Sequence, residues 1–350
     1  MPFATPEDFA STHFDYVIIG GGAAGLVLAG RLSEDADVLV GVLEAGSDQS
    51  KNPLVTIPGL GLTLAGNKDL DWDFTTTPQV RASPYAKSWT ELMGMQANTH
   101  DRIHRWPRGK GLGGSAMMNT MLYSNSSQRD LDSWERLGNK GWDWESMQPY
   151  YHKLETYNVP SKELSDAVES GYIDPKLRGT DGPIQTTFAQ SLSGWMEKCW
   201  LDTCRTAGYP APKEPRNGMS LGAFCQLMTI DPKDWTRSYS YSGYIEPHLS
   251  RSNLKLLTNA RAGKILLRKE GDHAVATGVQ YFVDGKEYRV AASREVICSA
   301  GTVQTPQILE LSGIGDRALL EKHGIDVVVD NAHVGTNLQD HPMAGVTYVS

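Results

Sequence analysis

The sequence predicts an α/β fold of the Rossmann-like kind with antiparallel strands added to it, on three observations. The first is a run over residues 14–46 that reads strand, glycine turn, helix, strand and acid. A second glycine-rich turn at residues 109–115 and a quick succession of strand-like segments over residues 254–299 complete the set. Length and composition agree. A chain of 350 residues, 40% hydrophobic and 21% charged, without a low-complexity tract, makes a globular protein with a sizeable core and room for two domains.

Charge and termini exclude several classes of function. A formal charge of −8 disfavours nucleic acid or an anionic membrane as partner. The N-terminus lacks the basic and apolar regions of a signal peptide, and no later run is apolar enough to span a bilayer. With Met1 as the native start, a cytoplasmic location is expected. Cys199, Cys204, Cys225 and Cys298 have neither metal-ligand nor CxxC spacing, so reduced thiols and no metal site are expected, with one disulfide such as Cys199–Cys225 left open.

In the first run, the apolar residues 16–19 form a strand and Gly20 permits the tight turn out of it. Gly22 lets backbone approach a pyrophosphate, and Gly25 lets the helix that follows, residues 26–32, pack closely on the sheet. The free N–H groups at the start of that helix, with Ala23 and Ala24, face the phosphates. Residues 38–43 form the next strand. It ends in Glu44 and Ala45, with Glu44 nineteen residues beyond Gly25 and able to accept from ribose hydroxyls. An acid there repels a 2′-phosphate, so FAD or NAD fits better than NADP.

Beyond this run, residues 53–66 read as loop, residues 71–79 as a short half-buried strand, and residues 81–100 as a surface flap or loop. Five of the seven residues from Gly109 to Ser115 are Gly or Ser, a composition that forms an anion-binding nest to which Arg108 or Lys110 adds positive charge. A helix-like segment, residues 116–122, follows. The aromatics of residues 130–157, among them Trp134, Trp142 and Tyr150, recur at helical spacing and read as core packing. Residues 161–180 read as a connection, 182–187 as a strand, 193–208 as an amphipathic helix and 243–247 as a helix with its exit. Strands are expected at 254–257, 264–268, 274–282, 287–291 and 295–299, with a hairpin turn at Asp284-Gly285. A helix over residues 302–311 follows, with Pro306 near its first turn.

The run from Gly109 to Asn119 resembles the first signature of the glucose-methanol-choline (GMC) flavoprotein oxidoreductases, with Asp132 near its expected end and Ser126 where that pattern usually has Gly, Ala or Pro. The run from Gly301 to Gly315 matches the second signature at every specified position, and residues 334–342 look like the family's next block. The resemblance is collinear from Phe14 to Pro342.

It implies a Rossmann-like FAD-binding domain with antiparallel β additions and a second, incomplete substrate-binding α+β domain. Residues 1–160 and 225–335 fall in the former, 161–224 and 336–350 in the latter. Further cofactor contacts are implied at Trp106, Arg108, Gly113, Gly114, Ser115, Asn119, Thr120, Leu122, Ala300 and Gly301, with Ala262 contacting adenine through its backbone. Met118 stands where some members carry a flavin-linked histidine, and a thioether cannot form that link, so FAD is expected to be noncovalent. The implied activity is oxidation of a small-molecule alcohol by hydride transfer to flavin N5. The catalytic histidine base is expected beyond Ser350, not at His341, with a second polypeptide segment or a truncated product as the ways the chain could stand. A non-redox FAD-containing lyase or cyclase, or an inactive flavin-binding fragment, remains open as an alternative.

Overall fold

The strand-like runs near the two ends of the chain meet in one six-stranded sheet. The computed structural model describes residues 3–78, 103–190, 195–210, 214–219, 221–271 and 273–340. The strands of that sheet are β1 (His13–Ile19), β2 (Val40–Leu43), β3 (Leu254–Leu257), β4 (Arg261–Glu270), β5 (His273–Val283) and β6 (Lys286–Cys298). Their order is β3-β2-β1-β6-β5-β4. The first four run parallel, and β5 and β4 are added antiparallel at one edge, so the α/β class with antiparallel additions holds.

The sheet lies in a unit formed by Met1–Gly21, Arg31–Ala45 and Ser250–Ser350, and a second unit comprises Gly22–Gly30 and Gly46–Leu249. Val17, Ile18 and Ile19 of β1 and all four residues of β2 are buried. Uninterrupted apolar runs of this kind mark parallel strands buried on both faces. Phe9 of the helix Pro6–Ser11 packs on Phe14 with ring centroids 4.7 Å apart. Leu43, Leu257, Val279, Tyr281 and Ile308 join them in the core, each large side chain contributing about 1.5–3 kcal/mol through burial.

The two strands expected at residues 287–291 and 295–299 are one strand, β6, which changes partner midway. Its first half pairs antiparallel with β5 and its second half parallel with β1. The residues between the two expected segments form a bulge opposite Asp15, where Ser293 Oγ donates to Asp15 Oδ1 (3.1 Å) and Arg294 Nε lies 3.1 Å from the same oxygen. The Asp284-Gly285 turn joins β5 to β6 with φ of 49° and 80°, as a tight hairpin requires.

The second unit is built from short elements. Its helices include Gln128–Arg136, Trp144–Leu154, Lys162–Ala167, Trp195–Thr206 and Ser240–Tyr244. Residues 53–66, expected as loop, contain a helical turn, Pro53–Thr56, because Asn52 caps it and proline occupies its start, and a 3-10 turn, Gly61–Leu64. The strand expected over residues 71–79 is reduced to Phe74–Thr75, paired with Arg105–Trp106. The connection at residues 161–180 holds Lys162–Ala167 and two 3-10 turns.

Trp134, Trp142 and Tyr150 do not fill a core. All three are exposed, since the helix Gln128–Arg136 buries only Leu131 and the helix Trp144–Leu154 buries no residue fully. Pro306 is the sixth residue of the helix Gly301–Leu311, one position later than in the expected helix, because the helix opens at Gly301. All four cysteines are free, so the pairing left open for Cys199 and Cys225 is not made. The flap at residues 81–100 and the His341-Pro342 pair lie outside the described residues.

Candidate cofactor site

The carboxyl ends of the parallel strands form a row, with Ile19 in register with both Leu43 and Cys298, and Leu43 with Leu257. In open α/β sheets this edge is where ligands bind. The chain must turn immediately after Ile19, and Gly20 does so at φ +97°. A Cβ on Gly20 would lie 2.5 Å from Ser299 O, so the close approach of β6's exit demands glycine. Gly20 N–H donates to Leu43 O (2.8 Å), and Ser299 N–H to Ile19 O (2.8 Å).

Glu44 sits at the end of β2 and is 6% exposed. Its Oε2 accepts from Gly21 N–H at 2.8 Å, while its backbone bonds Leu257 O and Ala260 N–H. The acid expected at a ribose therefore also holds the glycine turn in shape. Ala45 is half-buried beside it, and Ala300 caps the helix Gly301–Leu311, whose first residue is exposed at φ +84°. Ala262 lies near the start of β4, half-buried and paired with Tyr281.

In the second unit, Gly22 faces Gly114. A Cβ on Gly114, at φ +53°, would lie 2.8 Å from Gly22 Cα, so the close approach of the two backbones requires glycine at 114. Gly22 itself has no positive φ, and its own Cβ would meet nothing closer than Gly114 Cα at 3.8 Å. No neighbour requires glycine at 22, and backbone left bare in this way fits a ligand's close approach. Ala23 and Ala24 are exposed on the first turn of the helix Ala23–Leu32, whose Gly25 is buried. Later in the same helix, a Cβ on Gly30 would lie 2.8 Å from Tyr244 O.

The second glycine run turns through Gly111, Gly113 and Gly114, all at positive φ. It does not open an α-helix. It makes one 3-10 turn, Gly114–Met117, then bends at Met121 (φ 61°) into the strand Leu122–Tyr123. Gly109 N–H donates to Ser115 Oγ at 3.2 Å. Ser115, Asn119, Thr120 and Leu122 are exposed, Trp106 is half-buried in its two-residue strand, and Arg108 is exposed with Nε donating to Pro107 O (2.6 Å). Lys110 Nζ lies 5.3 Å from the centre of the Trp72 ring.

Two residues that sequence reasoning did not single out hold this run. The buried carboxylate of Asp71 accepts from the backbone N–H groups of Arg108 (2.8 Å), Asp73 (2.9 Å) and Gly66 (2.7 Å). Arg237, also buried, bonds the far end of the run at Ala116 and Asn119. No local signal marked either one, since Asp71 stands between Leu70 and Trp72 in a segment that also holds Lys68, Asp69 and Asp73, and Arg237 stands between Thr236 and Ser238. Among the described residues no group of three or more His, Cys, Asp or Glu side chains is placed to hold a metal ion, and no helix is long and apolar enough to cross a membrane.

A parallel sheet with a glycine turn and an acid at its carboxyl edge defines a dinucleotide-binding protein. The chain matches the GMC oxidoreductase family over residues 14–343, and it belongs to that family. It is 41% identical over 344 residues to a dehydrogenase of Monascus purpureus, covering 97% of this chain and 52% of that protein. It is 37% identical over 347 residues to the GMC oxidoreductase family protein Mala s 12 of Malassezia sympodialis, covering 97% and 53%. Among solved structures, an FAD-dependent oxidoreductase from Chaetomium thermophilum superposes with a TM-score of 0.78 at 32% identity, covering 91% of this chain and 50% of that one. Formate oxidase of Aspergillus oryzae gives 0.78 at 30% identity, covering 95% and 52%. The chain thus spans about half the length of the relatives it matches. Family and fold make FAD its cofactor.

Proposed function

We propose that this chain is the FAD-holding portion of an oxidoreductase that oxidises a small-molecule alcohol. The observation that carries the reading is Gly22, a glycine that no neighbouring atom and no backbone conformation requires, next to a turn held by a buried acid. The N–H groups around Gly22, Ala23 and Ala24 would hold the pyrophosphate, and those of Gly113, Gly114 and Ser115 offer a second set of donors. Glu44 keeps the first turn in shape and disfavours a 2′-phosphate by charge. Asn119, Thr120 and Leu122 would line the flavin, Ala262 the adenine, and the Ala300–Gly301 turn the strand edge. Met118 is 9% exposed and chemically unable to form a histidyl–flavin bond, so the cofactor is held without a covalent link.

When bound, FAD supplies a hydride acceptor at N5. We assign the histidine that takes the hydroxyl proton to the part of the relatives' length that this chain does not span. Names of matched proteins, a dehydrogenase and an aryl-alcohol oxidase among them, support redox chemistry over a lyase.

Two measurements on the full-length protein test this. Denaturation should release all yellow flavin into the supernatant, and flavin that stays with the precipitate would sink the noncovalent reading. Anaerobic addition of a panel of primary and secondary alcohols should bleach the flavin near 450 nm, a band of about that wavelength being the property of the cofactor itself. A spectrum that stays oxidised across the panel would rule out alcohol oxidation.

A further inference from the structure

Arg237 ends the short strand Thr236–Arg237, and only 2% of its surface is exposed. Its guanidinium is bonded to neutral oxygens. Nε donates to Val55 O (2.8 Å), and Nη1 donates to Ala116 O (3.1 Å), Asn119 O (2.9 Å) and Asn119 Oδ1 (2.7 Å). Its Nη2 has no partner among the described residues. Burial pushes its pKa down to about 10, as expected of a cation taken out of water without a carboxylate to offset the cost. A costly group kept in such a place calls for something it alone supplies. That is the rigid fork of five donors, which reaches several carbonyls at once where an ammonium on a flexible stem does not.

Those carbonyls belong to the exit of the second glycine run. Both oxygens of Asn119 are held by Nη1, and Oδ1 accepts in addition from Met121 N–H (3.0 Å), which sits at φ 61°. Asn119 and Thr120, between these bonds, are exposed. Two residues along from Arg237, the buried ring of Tyr239 occupies the place a Cβ on Gly113 would take, so one segment grips the run near its middle and at its end.

We infer that Arg237 is a positioning residue for the cofactor. It sets the Asn119–Thr120 backbone in the conformation that meets FAD, acting through Asn119 and without touching the substrate. The inference rests on the FAD reading above. A wild-type protein that neither holds nor takes up FAD would sink that reading; the outcomes below bear on Arg237 alone.

The test compares FAD-loaded wild type with Arg237→Met, Arg237→Lys and Gly61→Ala in the full-length protein. The readouts are the Kd for FAD, by fluorescence titration of the apoprotein, and the visible flavin band. R237M should weaken FAD binding by about tenfold to a hundredfold and shift the band, the loss expected of charge-assisted hydrogen bonds. R237K should fail in the same way, since the charge is kept but the fork is not. Gly61→Ala keeps Arg237 and supplies the variant that folds, because Gly61 has no positive φ and its new Cβ would press on Arg237 Nη2. It should displace the guanidinium, weaken binding in the same sense and shift the band in the same direction. A wild-type Kd and band in R237M would overturn the inference. So would full rescue by R237K or, where R237M does not fold, an unchanged Kd and band in G61A.

Discussion

The two glycine-rich turns have similar composition, but they are held by different means. The first leaves β1 and is fixed by the row of strand ends and by one carboxylate, Glu44, on the neighbouring strand. The second belongs to the other unit and directly follows none of the six strands. It is fixed at its entrance by the carboxylate of Asp71 and at its exit by the guanidinium of Arg237, 118 residues from Asn119 in sequence. Glycine provides freedom of conformation, and what selects one conformation has to come from outside the turn.

The entrance of the second turn should be the most sensitive place. Asp71→Ala leaves three buried or half-buried N–H groups without their acceptor, at a cost of about 3 kcal/mol or more in urea unfolding followed by tryptophan fluorescence. Gly20→Ala comes next, with strain at φ +97° and a Cβ pressed on Ser299 O costing about 2–3 kcal/mol. Glu44→Ala should cost about 1–3 kcal/mol for the unpaired Gly21 N–H and weaken FAD binding as well. If Asp71→Ala proves milder than Glu44→Ala, the second turn has a holder other than the two named here.

This ordering also marks what could be read from the sequence. The first turn was legible because its parts lie within 33 residues and follow the period of a βαβ unit. The later strand segments and the Asp284-Gly285 hairpin were legible from alternation and turn residues, but their pairing with β1 and β2 was not, because those partners lie far away in sequence. The unity of β6 was not, because a strand that changes partner and bulges at Ser293-Arg294 looks locally like two strands with a turn between. Asp71 and Arg237 could not be found by spacing. Each bonds backbone far away in sequence, and nothing local distinguishes a buried charge from a solvated one. The exposed Trp134 and Trp142 misled for the opposite reason, since helical periodicity reports which residues share a face and not whether that face is covered.

A second carboxylate on the β1–β2 pair isolates what is special about Glu44. Asp15, at the opposite end of β1, accepts from Leu39 N–H at 2.8 Å. Chiefly through that bond, with help from Ser293 and Arg294, its pKa lies below the usual carboxylate value. A carboxyl group depressed in the folded state contributes stability that is present above its unfolded pKa, about 4, and lost as pH falls through the lower folded value. Asp15→Asn should therefore cost under about 1 kcal/mol at neutral pH, less in acid, and leave FAD binding unchanged. Urea curves at two pH values check the first part and an FAD titration the second. A gap that widens in acid would contradict the depressed pKa, and weakened FAD binding would mean that the whole strand pair, rather than its Glu44 end, governs the site.

The smallest effect on stability should come from Gly22→Ala, and it separates the two reasons for which a turn can need glycine. At Gly20 the need is internal. At Gly22 the backbone is ordinary, and a methyl group would meet only Gly114 Cα at 3.8 Å, a normal contact. Thermal unfolding of the apoprotein should therefore move by less than about 0.5 kcal/mol, since alanine also restricts the unfolded chain. The same methyl group would stand where the pyrophosphate has to approach. FAD affinity should fall about tenfold to a hundredfold, the consequence of overpacking a close contact. If apoprotein stability falls as far as in Gly20→Ala, Gly22 serves the fold. If affinity is unchanged, the phosphates do not approach at Gly22, and the cradle has to be placed elsewhere along the edge of the sheet.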